Sequence, residues 1–162
     1  MYQWVVFVHI LSALAFFMAH GASAAMAFQL RRERQLDRIK AILDLSSAAL
    51  PVMYFSVLAL VIAGVIAGIM GNWFSRGWIW ASLVLLVVVF GWMYSYVFRY
   101  YTPIRKAVGL PYRDRSGEKP AGEPASDAEI AALIQATNPP LLMGVSVALA
   151  AGILWLMVFK PF

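Results

Sequence analysis

Four apolar runs constrain this chain more than any other feature: Trp4 to Leu30, Leu50 to Met70, Trp78 to Phe98 and Leu141 to Phe159. Each is long enough to cross a hydrocarbon core, which takes about 20 mostly apolar residues. In lipid every backbone N–H and C=O must find a partner within the protein, so runs of this kind fold as helices. Composition points the same way, because 62% hydrophobic and 13% charged residues leave more apolar surface than a soluble chain of 162 residues can cover. The expected fold class is all-α: a four-helix transmembrane bundle forming a single integral membrane domain over residues 1–162. The first run ends in Ala22-Ser23-Ala24, which looks like a signal-peptidase site. No basic residue precedes that run, however, and it is longer than a signal h-region, so a retained helix is expected.

The loops carry the charge. Arg31, Arg32, Arg34, Arg38 and Lys40 follow the first run, and Arg99, Arg105, Lys106, Arg113, Arg115 and Lys119 follow the third, leaving only Arg76 and Lys160 elsewhere. The positive-inside rule then predicts both termini outside, loops 1–2 and 3–4 cytoplasmic, and residence in the cytoplasmic (inner) membrane. The net charge of +5 is thereby explained by topology. The expected partner is the lipid bilayer, whose anionic headgroups the basic loops could meet, and no nucleic acid is expected. Trp4, Trp73, Trp78, Trp80 and Trp155, with Tyr2, Tyr100 and Tyr101, fall near the span ends, where amphipathic rings prefer to sit. The absence of cysteine excludes disulfides, thiolate zinc sites, iron–sulfur clusters and c-type haem attachment.

Between Thr102 and Asn138 the chain is first rich in Pro, Gly and charge, then reads Ser126-Asp127-Ala128-Glu129, a capping box that opens a short helix over about 127–137. Ile130, Leu133 and Ile134 give that helix one apolar stripe, and Asn138-Pro139-Pro140 ends it. It is expected to lie on the cytoplasmic surface of the membrane. The alternative is a mobile loop that orders with a partner. Ser46-Ser47 offers an N-cap for the second span, which would place Pro51 in its first turn. If the helix starts earlier, near Asp37, Pro51 should kink it. Gly64 and Gly68 form a GxxxG, Gly144, Ala148 and Gly152 make a small face on the fourth span, and Ala19 to Ala27 is nearly all small. Such residues let helices approach closely in lipid.

The chemistry-bearing pattern is a repeat in the first run. His9-Ile10-Leu11-Ser12-Ala13 is followed 11 residues on by His20-Gly21-Ala22-Ser23-Ala24, and these are the only 2 histidines. An 11-residue step is about three helical turns, so the imidazoles share a face to within roughly 20° and stand about 16 Å apart along it. That is too far for one metal ion but suits two redox centres stacked through a membrane. An ionisable side chain inside a span is a functional candidate by default. One reading is a neutral imidazole bracing the bundle through a carbonyl, Ser or Tyr. The other is metal ligation at His9 and His20, foremost of haem b, with a copper or proton pathway as further options. Gly21 and Ala24 leave room beside His20 for a flat macrocycle. Counting about 1.5 Å per residue along antiparallel neighbours places Met157 near the level of His9 and Met93 near that of His20 as second ligands. Arg99, one or two turns beyond Met93, is the candidate partner for haem propionates. It could equally be a positive-inside anchor.

The setting Phe7-Val8-His9-Ile10-Leu11-Ser12-Ala13, followed by small residues, resembles the first helix of a bacterial family of four-helix integral membrane proteins without assigned activity. More distantly it is similar to HemJ-type protoporphyrinogen oxidases and CopD-type copper-export domains, whose first helix opens on a comparable motif. The similarity to HemJ-type proteins implies that His9 ligates haem b. That family also uses basic residues within its spans, whereas no Lys or Arg lies deep in any span here. The resulting expectation is a b-type haem-binding protein that transfers electrons or serves as the haem-bearing subunit of a larger membrane redox complex. One form of it is a homodimer in which His9 and His20 each face their own mate across a shared haem, giving two per assembly. The alternatives are a structural or assembly subunit with braced histidines and a small metal-handling or transport module. No nucleophile–base pair, phosphate loop or paired carboxylate is present, so no catalytic residue is assigned.

Overall fold

Helices occupy the apolar runs because only intrahelical bonding satisfies their backbones in lipid. The computed structural model describes all 162 residues. Its long elements are α1 (Tyr2–Leu30), α2 (Leu36–Ala48), α3 (Leu50–Met70), α4 (Gly77–Tyr96) and α7 (Pro139–Phe159), with the short α5 (Thr102–Ala107) and α6 (Asp127–Gln135) between α4 and α7. Four stretches are long and apolar enough to cross a membrane: Tyr2–Leu30, Leu36–Met70, Gly77–Ala107 and Asp127–Phe159. Large apolar side chains such as Phe55 (73% exposed), Val87 (71%) and Leu154 (64%) point away from the protein. Lipid is the environment that accommodates them, and the chain is a multi-pass membrane protein.

The spans pack as two pairs, α1 along α3 and α4 along α7, with much sparser contact between the pairs. Contact across this seam includes Phe16 of α1 against Phe90 of α4, with ring centroids 6.3 Å apart. At the tryptophan-rich end the α3–α4 turn is fixed by Trp73 Nε1 donating to the Tyr2 hydroxyl (3.1 Å) and Trp80 Nε1 donating to the Phe74 carbonyl (3.0 Å). Lys160 Nζ sits 4.2 Å above the Trp73 ring, a cation–π contact that ties the end of α7 to the same cluster.

Two prolines shape the other end. The second helix begins at Leu36 and is interrupted at Ala49, with Pro51 in the first turn of α3. A proline has no N–H for the preceding turn, which is why the helix divides here. Ser46 and Ser47 do not cap α3: Ser47 Oγ donates back to the Leu43 carbonyl (3.0 Å), and Ser46 Oγ meets Ser23 Oγ of α1 at 2.9 Å. In the third span Pro103 removes the partner of the Arg99 carbonyl, and residues Val97–Tyr101 widen into a π-helical turn before α5.

The best-buried core lies at one end of the bundle. Leu30, Ile39, Leu43, Ile104, Ala107, Val108, Ile130 and Ile134 form one cluster from α1, α2, α5 and α6 at the basic end. The span Leu36–Met70 has 35 residues and is therefore about 50 Å long, against a hydrocarbon core of about 30 Å, so α2 projects and supplies one wall. The capping box forms as expected, with Ser126 Oγ accepting from Glu129 N–H (3.3 Å). The apolar stripe of α6 is covered by protein, with Ile130 and Ile134 only 3% and 1% exposed. Asn138 both ends that segment and caps α7, its Oδ1 accepting from Leu141 N–H (3.1 Å). Arg105 locks the cap: its guanidinium donates to the Leu43 carbonyl (3.2 Å), Ser47 Oγ (2.9 Å) and Asp44 Oδ1 (3.2 Å), while Nε donates to the Pro111 carbonyl (2.9 Å).

The loop after α5 contains a small hairpin that the all-α expectation omits, β1 (Tyr112–Asp114) against β2 (Gly117–Lys119), antiparallel with Arg113 opposite Glu118. The Ser116 hydroxyl and N–H hold the Asp114 carboxyl below the ordinary carboxylate range at the hairpin turn. Gly109, at φ +79°, lets the chain leave α5, and a Cβ there would lie 2.6 Å from the Gly122 carbonyl oxygen.

Candidate functional site

α1 is unbroken from Tyr2 to Leu30, so His9 and His20 share one flank of it. Buried Ser12, Phe16, Ala19, Ala27 and Leu30 mark the adjoining packing stripe. The two histidines nevertheless meet different surroundings. His9 Nδ1 donates to the Leu60 carbonyl of α3 at 2.9 Å. A carbonyl only accepts, so Nδ1 carries the proton and Nε2 keeps its lone pair in the neutral ring. Gly64 makes this contact sterically feasible, because a Cβ there would lie 3.0 Å from His9 Cε1 and 3.1 Å from Nδ1. The GxxxG thus accommodates an imidazole at its first glycine. At its second, Gly68, a Cβ would stand 2.8 Å from the Phe74 ring.

His20 stacks parallel on Phe16, with centroids 5.8 Å apart and planes 2° apart. Its Nδ1 is buried and has no hydrogen-bond partner. The serines of the repeated motif also diverge. Ser12 Oγ donates to the Val8 carbonyl within α1 (2.8 Å), whereas Ser23 Oγ reaches Ser46 Oγ of α2. A repeat in sequence therefore has two uses in space: His9 bonds to α3 while Ser12 bonds within α1, whereas His20 stacks on Phe16 within α1 while Ser23 meets the end of α2.

Phe16 against Phe90 sets the register of the parallel α1 and α4, and one further turn along each brings His20 and Met93 to a common depth. Met93 is half-buried on α4. Leu85 Cδ1, 3.6 Å from where a Gly152 Cβ would stand, sets the register of α4 and α7. By that count Trp92 and Ser146 lie within roughly 5 Å of the His20 level along the bundle axis. Trp92 Nε1 and Ser146 Oγ are likewise buried without partners, as is the Tyr101 hydroxyl nearer the basic end. Sequence reasoning did not single out Trp92 or Ser146, because a lone Trp and a lone Ser within apolar runs carry no pattern that marks their polar atoms as unpartnered.

The remaining candidates are dispersed. Met157 lies within roughly 5 Å of the His9 level by the same count, but it packs against the cluster of Trp78, Ile79 and Leu156 in the α4–α7 seam, whereas His9 bonds to α3. Arg99 is exposed in the π-helical turn, its guanidinium carbon 5.6 Å from the Tyr100 ring centroid. Tyr96, buried at 6% exposure, accepts from Asn138 N–H and so fixes the start of α7 to α4. No group of three or more His, Asp or Glu side chains is gathered to hold a metal ion. The histidines that could hold a cofactor thus differ in readiness, His9 being tied through Nδ1 to its own chain and His20 being unpartnered. The chain matches no protein-family model, no curated protein and no solved structure.

Proposed function

We propose that this chain is a b-type haem protein of a membrane electron-transfer system, acting alone or as the haem-bearing subunit of a larger redox complex. His20 is the axial ligand, Met93 the second ligand, and Arg99 the charge partner for the propionates. The observation that carries the reading is the buried, unpartnered Nδ1 of the half-buried His20, at the depth of two further unpartnered groups, Trp92 Nε1 and Ser146 Oγ. A buried polar atom without a hydrogen bond costs about 1–3 kcal/mol, and lipid supplies no replacement. A planar guest between the two helix pairs fits this seam: contact between the pairs is sparse, and no atom lies within 4 Å of where a Gly21 Cβ would stand beside His20. Bound haem would supply one-electron redox chemistry, with a potential set by axial ligands and burial.

The chain's own residues do the positioning. Phe16 stacked on His20 fixes the plane of the imidazole, and Phe90 closes the tryptophan-side approach. His9, bonded to Leu60, holds α1 against α3 and is already engaged within its own chain, which favours ligation inside one protomer over a shared site between first helices. A reduced-minus-oxidised spectrum of protein purified from haem-replete cells should show a Soret band and an α-band at one haem per chain. A folded, colourless protein that takes up no haemin on reconstitution overturns the proposal. A structural or assembly subunit is the second reading, and the His9–Leu60 brace with its matching Gly64 favours it.

The segregation of Arg and Lys supports placing the α2–α5–α6 cap on the cytoplasmic side of the inner membrane, with both termini outside. Cysteines introduced as Gln35→Cys and Gly117→Cys should resist an impermeant maleimide in intact cells and react after permeabilisation. Labelling of Gln35→Cys in sealed cells reverses the orientation.

A further inference from the structure

The last turn of α1 is where the apolar run gives way to arginine, and a cleft of about 630 Å³ opens there between the ends of α1 and α6 and the start of α7. It is lined by Phe28, Arg31, Arg32, Arg34, Gln135 and Pro140. The geometry points to a headgroup site for an anionic phospholipid, with the phosphodiester held by the arginines and the acyl chains leaving past Phe28.

Charge is the first support. The chain contains two ion pairs, Arg38 with Glu33 and Arg105 with Asp44, so Arg31, Arg32 and Arg34 have no carboxylate partner. Glu33 lies between them in sequence and its carboxylate folds onto the following backbone, Oε1 accepting from Arg34 N–H (2.8 Å) and Gln35 N–H (3.0 Å) and Oε2 facing Arg38, which leaves Arg31 and Arg32 without it. Arg31 and Arg32, free of any carboxylate within ion-pair distance, with Arg34 beside them, give the cleft a positive lining that matches the fork geometry that binds phosphate oxygens.

Shape is the second support. Gln135 Nε2 donates to the Arg31 carbonyl (3.2 Å), pinning the end of α6 over the end of α1 and forming one wall. Arg34 Nη1 donates to the Glu33 carbonyl (2.9 Å) and the Arg31 carbonyl (3.3 Å), folding back over the turn so that the cluster is built rather than splayed. Depth is the third. Phe28 is 39% exposed and Leu141, beside Pro140, is 50% exposed, so the apolar side of the cleft opens to the lipid-facing surface within one turn of the arginines. A soluble phosphate would use only the basic half, whereas a phospholipid matches both.

The full chain would be reconstituted into vesicles of phosphatidylcholine containing a minor fraction of phosphatidylglycerol, and lipid retention read by native mass spectrometry after detergent release. The variant Arg31→Gln/Arg32→Gln/Arg34→Gln is compared with Arg113→Gln/Arg115→Gln/Lys119→Gln, which removes the same charge from the hairpin region. Single Arg32→Gln, at an exposed side chain with no recorded hydrogen bond, serves if the triple variant does not fold. The expected result is retention of phosphatidylglycerol by the wild type and the hairpin variant, and about tenfold or greater loss in the cleft variant, in line with the usual contribution of basic residues near an anionic surface. Equal loss in both variants would show general surface attraction and overturn the site. Displacement of the lipid by millimolar inorganic phosphate would assign the arginines to free phosphate and overturn the lipid assignment.

Discussion

His20→Ala should remove the Soret and α-bands completely, while His9→Ala should keep them and lower the unfolding temperature. The two substitutions delete the same side chain from the same helix 11 residues apart, so general damage to α1 would affect both spectra alike. His20 has a buried nitrogen with no partner and stacks on Phe16, which meets Phe90 of α4, so its loss takes away the only imidazole at the depth of Met93. His9 instead donates to the Leu60 carbonyl and packs on Gly64. Its removal loses a hydrogen bond worth about 0.5–1.5 kcal/mol together with the contacts of the ring. Met93→Leu should retain haem and change its spin state, because the second ligand is lost while the apolar volume is kept. Loss of the bands from His9→Ala alone would move the ligand to His9, in keeping with the first-helix resemblance, and would refute the assignment to His20.

The second large effect is expected at the basic end, from Ile134→Asp. Ile134 is 1% exposed in a core with Leu30, Ile39, Leu43, Ile104, Ala107, Val108 and Ile130. Shortening such a side chain to alanine costs about 2–5 kcal/mol, and placing a carboxylate there adds the desolvation of a charge with no cation inside the cluster. The cap has no other hydrophobic core, so α6 should detach while the four spans stay helical in lipid. Limited trypsin treatment in detergent should then cut rapidly at Arg113 or Arg115, with little change in total helicity, since α6 has only nine residues. Wild-type protection should depend on Arg105 as well, because its guanidinium joins α5 to the end of α2 through Leu43, Asp44 and Ser47. Unchanged cleavage in Ile134→Asp would mean that the cap core does not hold the loop.

The four spans, the capping box at Ser126 and the helix-breaking roles of the prolines were legible in the residues themselves. In each case the cause is local or is imposed by the solvent: a long apolar run in lipid has one way to bond its backbone, a serine oxygen reaches the N–H three residues on, and a proline lacks its donor wherever it stands. Even the common flank of His9 and His20 follows from helical period alone, because α1 is continuous. The fate of those histidines was decided by tertiary structure. Leu60 is 51 residues from His9 in sequence, and Phe90, which sets the depth of His20, is 74 residues from Phe16. A repeated motif encodes the same side chains twice, but a hydrogen bond also needs the partner that the other helices deliver, and those helices differ at the two depths. The same reason holds for what covers α6. Its apolar stripe fixed that one face must leave water, and only the projecting ends of α1, α2 and α5 determined that protein, rather than lipid, would cover it.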